Sequence, residues 1–309
     1  MTMTGVRLGR KLKIRCLAFA DDIAILAESE MDAALQLQTL HETAAKIGLQ
    51  ISYEKTQFMA SKRVIAQEIK TLHGTIQKVE NFKYLRELLT INNSEKQTLA
   101  SRYAKMSKAL FLTRNIYNKK NISRQAKIRH YQTVIRPEVL YAAECLTMTS
   151  RAYLDKIEIT ERKIIRKILG PELREDGEWH IRHNKDVYSH IEPMSSIIKK
   201  RRIQFYGHLT RMDPKRLTSQ ILQYKESSKN PDKWFRKITE DMTHLKIDRR
   251  TLTERDKLRK LLKTGSVILE AKRTRNGGKR VFSEEQRRQQ SERMKCYWAA
   301  KKKAKNTRS

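Results

Sequence analysis

Short alternations of apolar and polar residues fill the first part of the chain, and a helical period follows. The segments 11–17 and 23–27 are predicted to be two strands joined by a tight turn. Ser29, followed by Glu30 and Asp32, predicts a capped helix whose apolar stripe ends at Gly48. Further short strands are predicted over four segments: 49–52, 56–60, 64–72 and 79–89.

From Ser94 onward the apolar residues recur at steps of three and four, and Gly and Pro are scarce. This pattern predicts a series of helices: 94–117, 123–136, 150–169, 194–212, 214–224, 230–246 and 252–263. A break at Gly170-Pro171 is predicted to separate two helical units. The chain is therefore predicted to be α+β, with a small antiparallel sheet and helix followed by a mainly α-helical remainder.

Asp21 and Asp22 interrupt an otherwise apolar segment, Leu17 to Ala27. Two unit charges about 4 Å apart repel by about 4 kcal/mol at an effective dielectric near 20. A bound divalent cation would reverse that penalty, which makes the pair a candidate metal site. The alternative is that the two aspartates are ordinary turn residues between two strands.

Three motifs carry a family resemblance, and they occur in a fixed order. Phe19-Ala20-Asp21-Asp22 resembles the catalytic hairpin of reverse transcriptases, most closely those of non-LTR (LINE-type) retrotransposons. The segment 47–56 resembles the next motif of their palm, and Phe82-Lys83-Tyr84-Leu85 resembles the strand that grips the primer end. The family usually has Gly where Arg86 stands.

The resemblance implies roles for individual residues. Asp21 and Asp22 would be catalytic and would bind Mg²⁺, and Lys83 and Tyr84 would contact nucleic acid. The family's lysine at the position of Lys55 lies near the incoming triphosphate. A solvated lysine at the end of a strand is the alternative for Lys55.

The resemblance continues into the helical part. The segment 127–144 resembles the helical thumb of these elements, and the segments 201–212 and 234–245 resemble their C-terminal helical region, where Arg201 and Arg202 are predicted to bind nucleic acid. The expected regions are a partial palm (1–92), a thumb-like region (93–170), a helical C-terminal region (171–265) and a basic tail with one helix (266–309).

Another metal-binding aspartate is expected from the family, on a strand that precedes the hairpin. Asp21 stands too early in this sequence for that strand to fit before it. Two-metal nucleotidyl transfer needs carboxylates that bracket both cations. We therefore expect a fragment of an RNA-directed DNA polymerase that is inactive alone, with Mg²⁺ bound only when the missing aspartate is supplied. The alternative is a non-catalytic nucleic-acid-binding remnant.

The charge balance points to a polyanionic partner. The formal net charge is +33, from 67 Lys and Arg against 34 Asp and Glu, which favours nucleic acid; an anionic membrane or simple solubility is the alternative. The resemblance implies that the nucleic acid is an RNA template, a DNA primer and the RNA–DNA duplex. No apolar run approaches the roughly 18 residues of a membrane span. Three scattered cysteines form no disulfide framework, so an intracellular location is expected. The basic clusters fit either nuclear targeting or phosphate contacts, and the oligomeric state is left open.

Two further features concern single residues. In the tail, Arg287, Arg288 and Lys295 are predicted to contact phosphates from a short helix that resembles DNA-binding helices beside some nucleases, and a solvated basic tail is the alternative. Trp179 and Trp234 are interpreted as core anchors, although an exposed aromatic ring beside Arg would suit single-stranded nucleic acid.

Overall fold

Short strands and one long helix make up the N-terminal part of the chain. The computed structural model describes residues 5–264 except 10–11, 62–63, 93, 148–150, 174, 176 and 229–230. The strands are β1 (Val6–Leu8), β2 (Leu12–Ile14), β3 (Cys16–Phe19), β4 (Asp22–Ile25), β5 (Gln57–Phe58), β6 (Glu68–Thr71), β7 (Gly74–Lys78), β8 (Asn81–Tyr84), β9 (Glu87–Thr90), β10 (Glu172–Leu173) and β11 (Trp179–His180). The pairs β1–β2, β3–β4, β8–β9 and β10–β11 form two-stranded antiparallel sheets. In the remaining sheet β7 pairs antiparallel with β6 and parallel with β5.

Helix α1 (Glu30–Ala45) begins where the sequence predicts. The Oγ of Ser29 accepts a hydrogen bond from the backbone N of Asp32 at 3.1 Å, and the carboxylate of Asp32 accepts one from the backbone N of Glu28 at 3.3 Å. These bonds satisfy backbone donors that the first turn leaves without partners. Leu37 of α1 packs with Ile69 and Ile76 in a small core.

Two strand predictions are wrong. Residues 49–52 form no strand, although Leu49 follows Gly48 as the pattern suggested. The expected single strand at 79–89 is instead the hairpin β8–β9, because Leu85 and Arg86 adopt positive φ angles of 47° and 67° and reverse the chain. The sequence reasoning missed this turn because neither residue is a usual turn former.

Helices occupy most of the remainder. They are α2 (Glu95–Leu112), α3 (Arg114–Asn118), α4 (Arg124–His130), α5 (Arg136–Leu140), α6 (Arg151–Leu169), α7 (Asn184–Ser189), α8 (Met194–Thr210), α9 (Leu217–Glu226), α10 (Lys233–Leu245), α11 (Arg249–Thr253) and α12 (Arg255–Thr264). A π-helical turn, Tyr131–Ile135, joins α4 to α5 where one continuous helix was expected. The predicted α+β architecture is confirmed.

The helices enclose two apolar cores. The larger contains sixteen buried residues between Leu99 and Ile198. It also holds the buried carboxylate of Glu161, which accepts hydrogen bonds from Arg136 Nη2 at 2.7 Å, Tyr131 Oη at 3.2 Å and the backbone N of Met194 at 3.1 Å.

The second core contains eight buried residues between Ile203 and Leu258, so α8 contributes to both cores. Among the described residues no helix is long and apolar enough to cross a membrane. The expected boundaries near 92, 170 and 265 stay predictions. The predicted tail helix, with Arg287, Arg288 and Lys295, lies outside the described residues.

Candidate functional site

The two aspartates lie at the tip of the β3–β4 hairpin. Phe19 pairs with Asp22 in antiparallel register, which leaves Ala20 and Asp21 as a two-residue turn. Ala20 has a φ of 51°, a conformation that tight hairpin turns need and that non-glycine residues adopt at some cost. Asp21 and Asp22 are both exposed, so the hairpin presents two adjacent carboxylates to solvent.

The same hairpin also exposes apolar side chains. Phe19 is 63% exposed, and Leu17 and Ile23 are 40% and 45% exposed. Strand β3 is exposed along its whole length and pairs only with β4 in a two-stranded sheet. Leu17 and Phe19 lie on one face of the hairpin, and Ile23, which pairs with Ala18, lies on the other. Large exposed apolar side chains on an open sheet are unusual for a surface that stays in water. The described residues therefore leave both faces of the hairpin partly uncovered.

A carboxylate pair is too small a ligand set for a two-metal site. Carboxylate oxygens are the ligands that Mg²⁺ prefers, and a two-metal site brackets both ions with several of them. Over the parts of the chain that the structure describes, no group of three or more His, Cys, Asp or Glu is arranged to hold a metal ion. Asp21 and Asp22 are therefore two adjacent exposed carboxylates that, among the described residues, have no third metal-ligating group beside them.

Comparison with known proteins finds a similarity over the N-terminal part of the chain. Residues 3–86 match the family model described as reverse transcriptase (RNA-dependent DNA polymerase). This segment contains the whole β3–β4 hairpin and α1. Residues 3–86 are therefore similar to part of the reverse transcriptase domain.

Two relatives extend the match beyond this segment. A putative uncharacterized transposon-derived protein of Caenorhabditis elegans is 22% identical over 255 residues, which cover 77% of this chain and 88% of the relative. The RNA-directed DNA polymerase from mobile element jockey of Drosophila funebris is 27% identical over 195 residues, 58% of this chain but only 20% of the relative. The predicted relationship to a fragment of a non-LTR retrotransposon reverse transcriptase is confirmed.

The other predicted residues of the reverse transcriptase segment lie on separate elements. Lys55 is exposed in the turn before β5, and Lys83 is exposed on β8, where Tyr84 is half-buried. The structure brings Asp21 and Asp22 together at one tip and Lys83 and Tyr84 together on another hairpin. It does not place these groups in one sheet.

The β8–β9 hairpin keeps its turn with Arg86 in place of the family's Gly. The guanidinium of Arg86 lies 3.6 Å from the Glu138 carboxylate and 5.2 Å from the ring centroid of Tyr141. The buried Arg102 pairs with Glu87 on β9 and donates to the backbone O of Val139 at 2.7 Å. These contacts hold the β8–β9 hairpin, whose sequence resembles the primer grip, against the neighbouring helical core.

The prediction that Arg202 binds nucleic acid is wrong, because the residue is buried. It is 1% exposed, and its guanidinium pairs with the equally buried Asp241 and donates to the backbone O of Leu146 at 3.0 Å. Burial raises the pKa of the Asp241 carboxyl, and the positive charge of Arg202 opposes that rise. Because its charge is enclosed in the core, Arg202 cannot contact nucleic acid. Arg201 is exposed and donates to the backbone O of Leu140 at 2.8 Å.

The two tryptophans differ in their surroundings. Trp234 is a core anchor, as predicted: it packs on Phe205 and Phe235, and its Nε1 donates to the backbone O of Glu144 at 2.8 Å. Trp179 is not, because its side chain on β11 is 68% exposed. Its isolated position between polar and basic residues in the sequence was the signal that could have indicated exposure.

Proposed function

We propose that this chain is the C-terminal portion of an RNA-directed DNA polymerase of a non-LTR retrotransposon. The observation that carries the proposal is the tight β3–β4 hairpin that presents Asp21 and Asp22 inside the segment matching the reverse transcriptase family. The curated relative from Drosophila funebris bears the name of such a polymerase, and the match spans about a fifth of its length.

In this proposal Asp21 and Asp22 provide two of the carboxylates of a two-metal site. A divalent cation such as Mg²⁺, when bound, supplies the charge that activates the attacking oxygen and stabilises the leaving one. The third carboxylate, and the surface that covers Phe19, would come from outside the residues that the structure describes. The chain alone is then expected not to extend a primer.

Its nucleic-acid partners would be an RNA template, a DNA primer and the duplex between them. The net charge of +33 supports this, because neutralising phosphates releases bound counterions. The proposed contacts are Lys55, Lys83 and Tyr84, together with Arg201 in the helical part. Arg202 is not proposed as a contact, because it is buried. In the tail, contacts from Arg287, Arg288 and Lys295 remain proposals for residues outside those described.

A second candidate is a non-catalytic nucleic-acid-binding protein that keeps the basic helices but carries out no chemistry. It is favoured by the incomplete carboxylate set over the described residues. The two candidates differ in whether the hairpin still binds a divalent cation.

The test combines primer extension with Mn²⁺ binding, followed by the paramagnetic signal of the free ion. We expect no template-dependent extension with Mg²⁺ or Mn²⁺, and weak Mn²⁺ binding that is lost in Asp21→Asn/Asp22→Asn. A matched variant, Glu30→Gln/Glu54→Gln, removes two exposed carboxylates from the same segment and should keep Mn²⁺ binding.

Extension that disappears in the Asp21→Asn/Asp22→Asn variant would contradict the expected inactivity of the isolated chain. Mn²⁺ binding that is equal in all three proteins would remove the support for a metal site. Nucleic-acid binding without Mn²⁺ binding at the hairpin would favour the second candidate.

A further inference from the structure

A basic surface lies where the end of α6 meets α4 and the segment after β11. Two adjoining shallow depressions share Arg182, and neither is lined by Asp or Glu. We call this surface the basic cleft and define it by its six cationic residues: Arg124, Arg129, Lys163, Arg166, Lys167 and Arg182. None of these six is among the residues predicted from the sequence.

Two of the four guanidinium groups in the basic cleft are fixed in place. Arg166 donates from Nε to the backbone O of Arg182 at 2.9 Å and from Nη2 to Oδ1 of Asn184 at 2.6 Å. Arg182 donates to the backbone O of Gly170 at 3.2 Å and pairs with Glu172 at 3.2 Å. Three of these four acceptors are neutral, so the cleft keeps most of its positive charge.

Stabilisation of helix ends accounts for only part of the cluster. Cations in the last turn of a helix interact favourably with its dipole, which explains Arg166 and Lys167 at the end of α6 and Arg129 at the end of α4. Arg124 is the first residue of α4, where the dipole disfavours a positive charge. Because Arg124 and Lys163 gain nothing from a helix end, a ligand of negative charge is the better explanation for the whole group.

Exposed apolar side chains adjoin the basic cleft. Ile181, which lines it, is 78% exposed, and Trp179 two residues earlier is 68% exposed. In extended chain two residues span about 7 Å, so the indole lies close to the rim. Trp179 is paired across the β10–β11 sheet with Leu173, also exposed. A basic groove beside an exposed aromatic ring is the arrangement that binds single strands, whose unpaired bases stack on the ring.

We propose that the basic cleft binds the backbone of single-stranded nucleic acid, and that Trp179 stacks on one of its bases. The proposal deepens the nucleic-acid binding of the proposed function and rests on it. A duplex satisfies the charge of the cleft but offers Trp179 no unpaired base. The preference for single strands is therefore the distinguishing property.

The experiment uses the full chain and a fluorescent twenty-nucleotide oligo(dT), with binding measured by anisotropy over a range of salt concentrations. The variant Arg129→Gln/Lys163→Gln/Lys167→Gln removes three exposed charges from the basic cleft. The control Lys215→Gln/Arg216→Gln/Lys233→Gln removes three exposed charges that line neither depression. At about 0.7 per phosphate contact on single strands, the cleft variant should lower the slope of log affinity against log salt by about 2. The control should change the slope by less than half of that.

Trp179 is tested with the same oligo(dT) and with a blunt-ended DNA duplex of equal charge. Trp179→Ala should bind oligo(dT) about tenfold more weakly, Trp179→Phe should retain most of the affinity, and binding of the duplex should be unchanged. Because Trp179 is exposed, unchanged thermal unfolding is expected for both variants.

If the slope of log affinity against log salt falls equally in the cleft and control variants, the assignment of the cleft is overturned. An equal loss of affinity in Trp179→Ala for oligo(dT) and for the DNA duplex would overturn the single-strand preference. A wild-type chain that binds neither probe, or that binds only vesicles containing phosphatidylserine, would overturn both this inference and the nucleic-acid part of the proposed function. Nucleic-acid binding whose affinity and salt dependence are unchanged in the cleft variant would overturn the inference alone.

Discussion

The buried pair of Arg202 and Asp241 should determine stability and leave nucleic-acid binding unchanged. Each residue is 1% exposed, so each charge depends on the other for compensation. Removing one partner of such a pair costs about 3–5 kcal/mol, because the other charge stays buried. Replacing both with apolar residues of similar volume is often nearly neutral.

The two single variants should not be equal. Asp241→Leu leaves a guanidinium that cannot lose its proton and whose Nε already lacks a hydrogen-bond partner, so the full cost of about 3–5 kcal/mol is expected. Arg202→Met leaves the Asp241 carboxyl without its partner. Burial raises the pKa of this carboxyl, which favours uptake of a proton, while the positive charges of Lys237 and Lys199 compensate its negative charge when it is ionised. The cost of Arg202→Met is expected to be smaller.

The double variant Arg202→Met/Asp241→Leu loses mainly the hydrogen bond to the backbone O of Leu146, a cost of about 1 kcal/mol. Urea unfolding followed by far-UV circular dichroism at pH 7 measures all three free energies. Arg202→Met should bind oligo(dT) as the wild type does under folding conditions. The reasoning fails if the two single costs add in the double variant, or if Arg202→Met loses affinity with unchanged stability.

Two further variants test local structure in the same unfolding assay. Arg86→Gly is expected to be about 1 kcal/mol more stable than Arg86→Ala, because both lose the contacts with Glu138 and Tyr141 while only Gly relieves the positive φ. Equal stabilities would show that the turn carries no strain. Asp232→Ala should cost about 1 kcal/mol at pH 7, because the Asp232 carboxylate accepts a hydrogen bond from the backbone N of Phe235 at 3.0 Å and caps α10. Partial burial raises the pKa of Asp232, but the N–H of Phe235 and the ammonium of Lys225 outweigh it and hold the pKa below its usual value. The stabilisation is therefore present above the ordinary aspartate pKa and fades as the pH falls through the lowered one, and a cost that is constant with pH would contradict this role.

Local signals in the sequence were sufficient where a few neighbouring residues determine the structure. Asp21 and Asp22 stand between two apolar strands, and Ser29 and Asp32 satisfy the first turn of α1; both features needed no distant contact. The turn at Leu85 and Arg86 has no such signal. It is held by contacts with residues about fifty positions later in the chain, such as Glu138.

Burial of charged and aromatic residues was the property that the sequence predicted least well. Arg201 and Arg202 are adjacent and identical in type, but a helix turns about 100° per residue and directs them to different surroundings. Arg202 enters the core and finds Asp241 there, while Arg201 stays exposed. Trp179 is of a residue type that is usually buried, but it lies at the surface. Its exposure follows from the position of the β10–β11 hairpin, which the sequence does not indicate.

The packing of the chain bears on how the two proposed roles relate. The helical part contains cores of sixteen and eight buried apolar residues, whereas the core beneath α1 contains three. At about 25 cal/mol for each Å² of apolar surface buried, the helical part has much the larger source of stability. The hairpin that bears Asp21 and Asp22 has an open face with Phe19 exposed. Under the proposed function, catalysis would require a further surface over this hairpin, whereas the proposed binding of nucleic acid by the basic cleft would require only the helical part and the β10–β11 hairpin. If both proposals hold, affinity for nucleic acid does not depend on completion of the carboxylate pair.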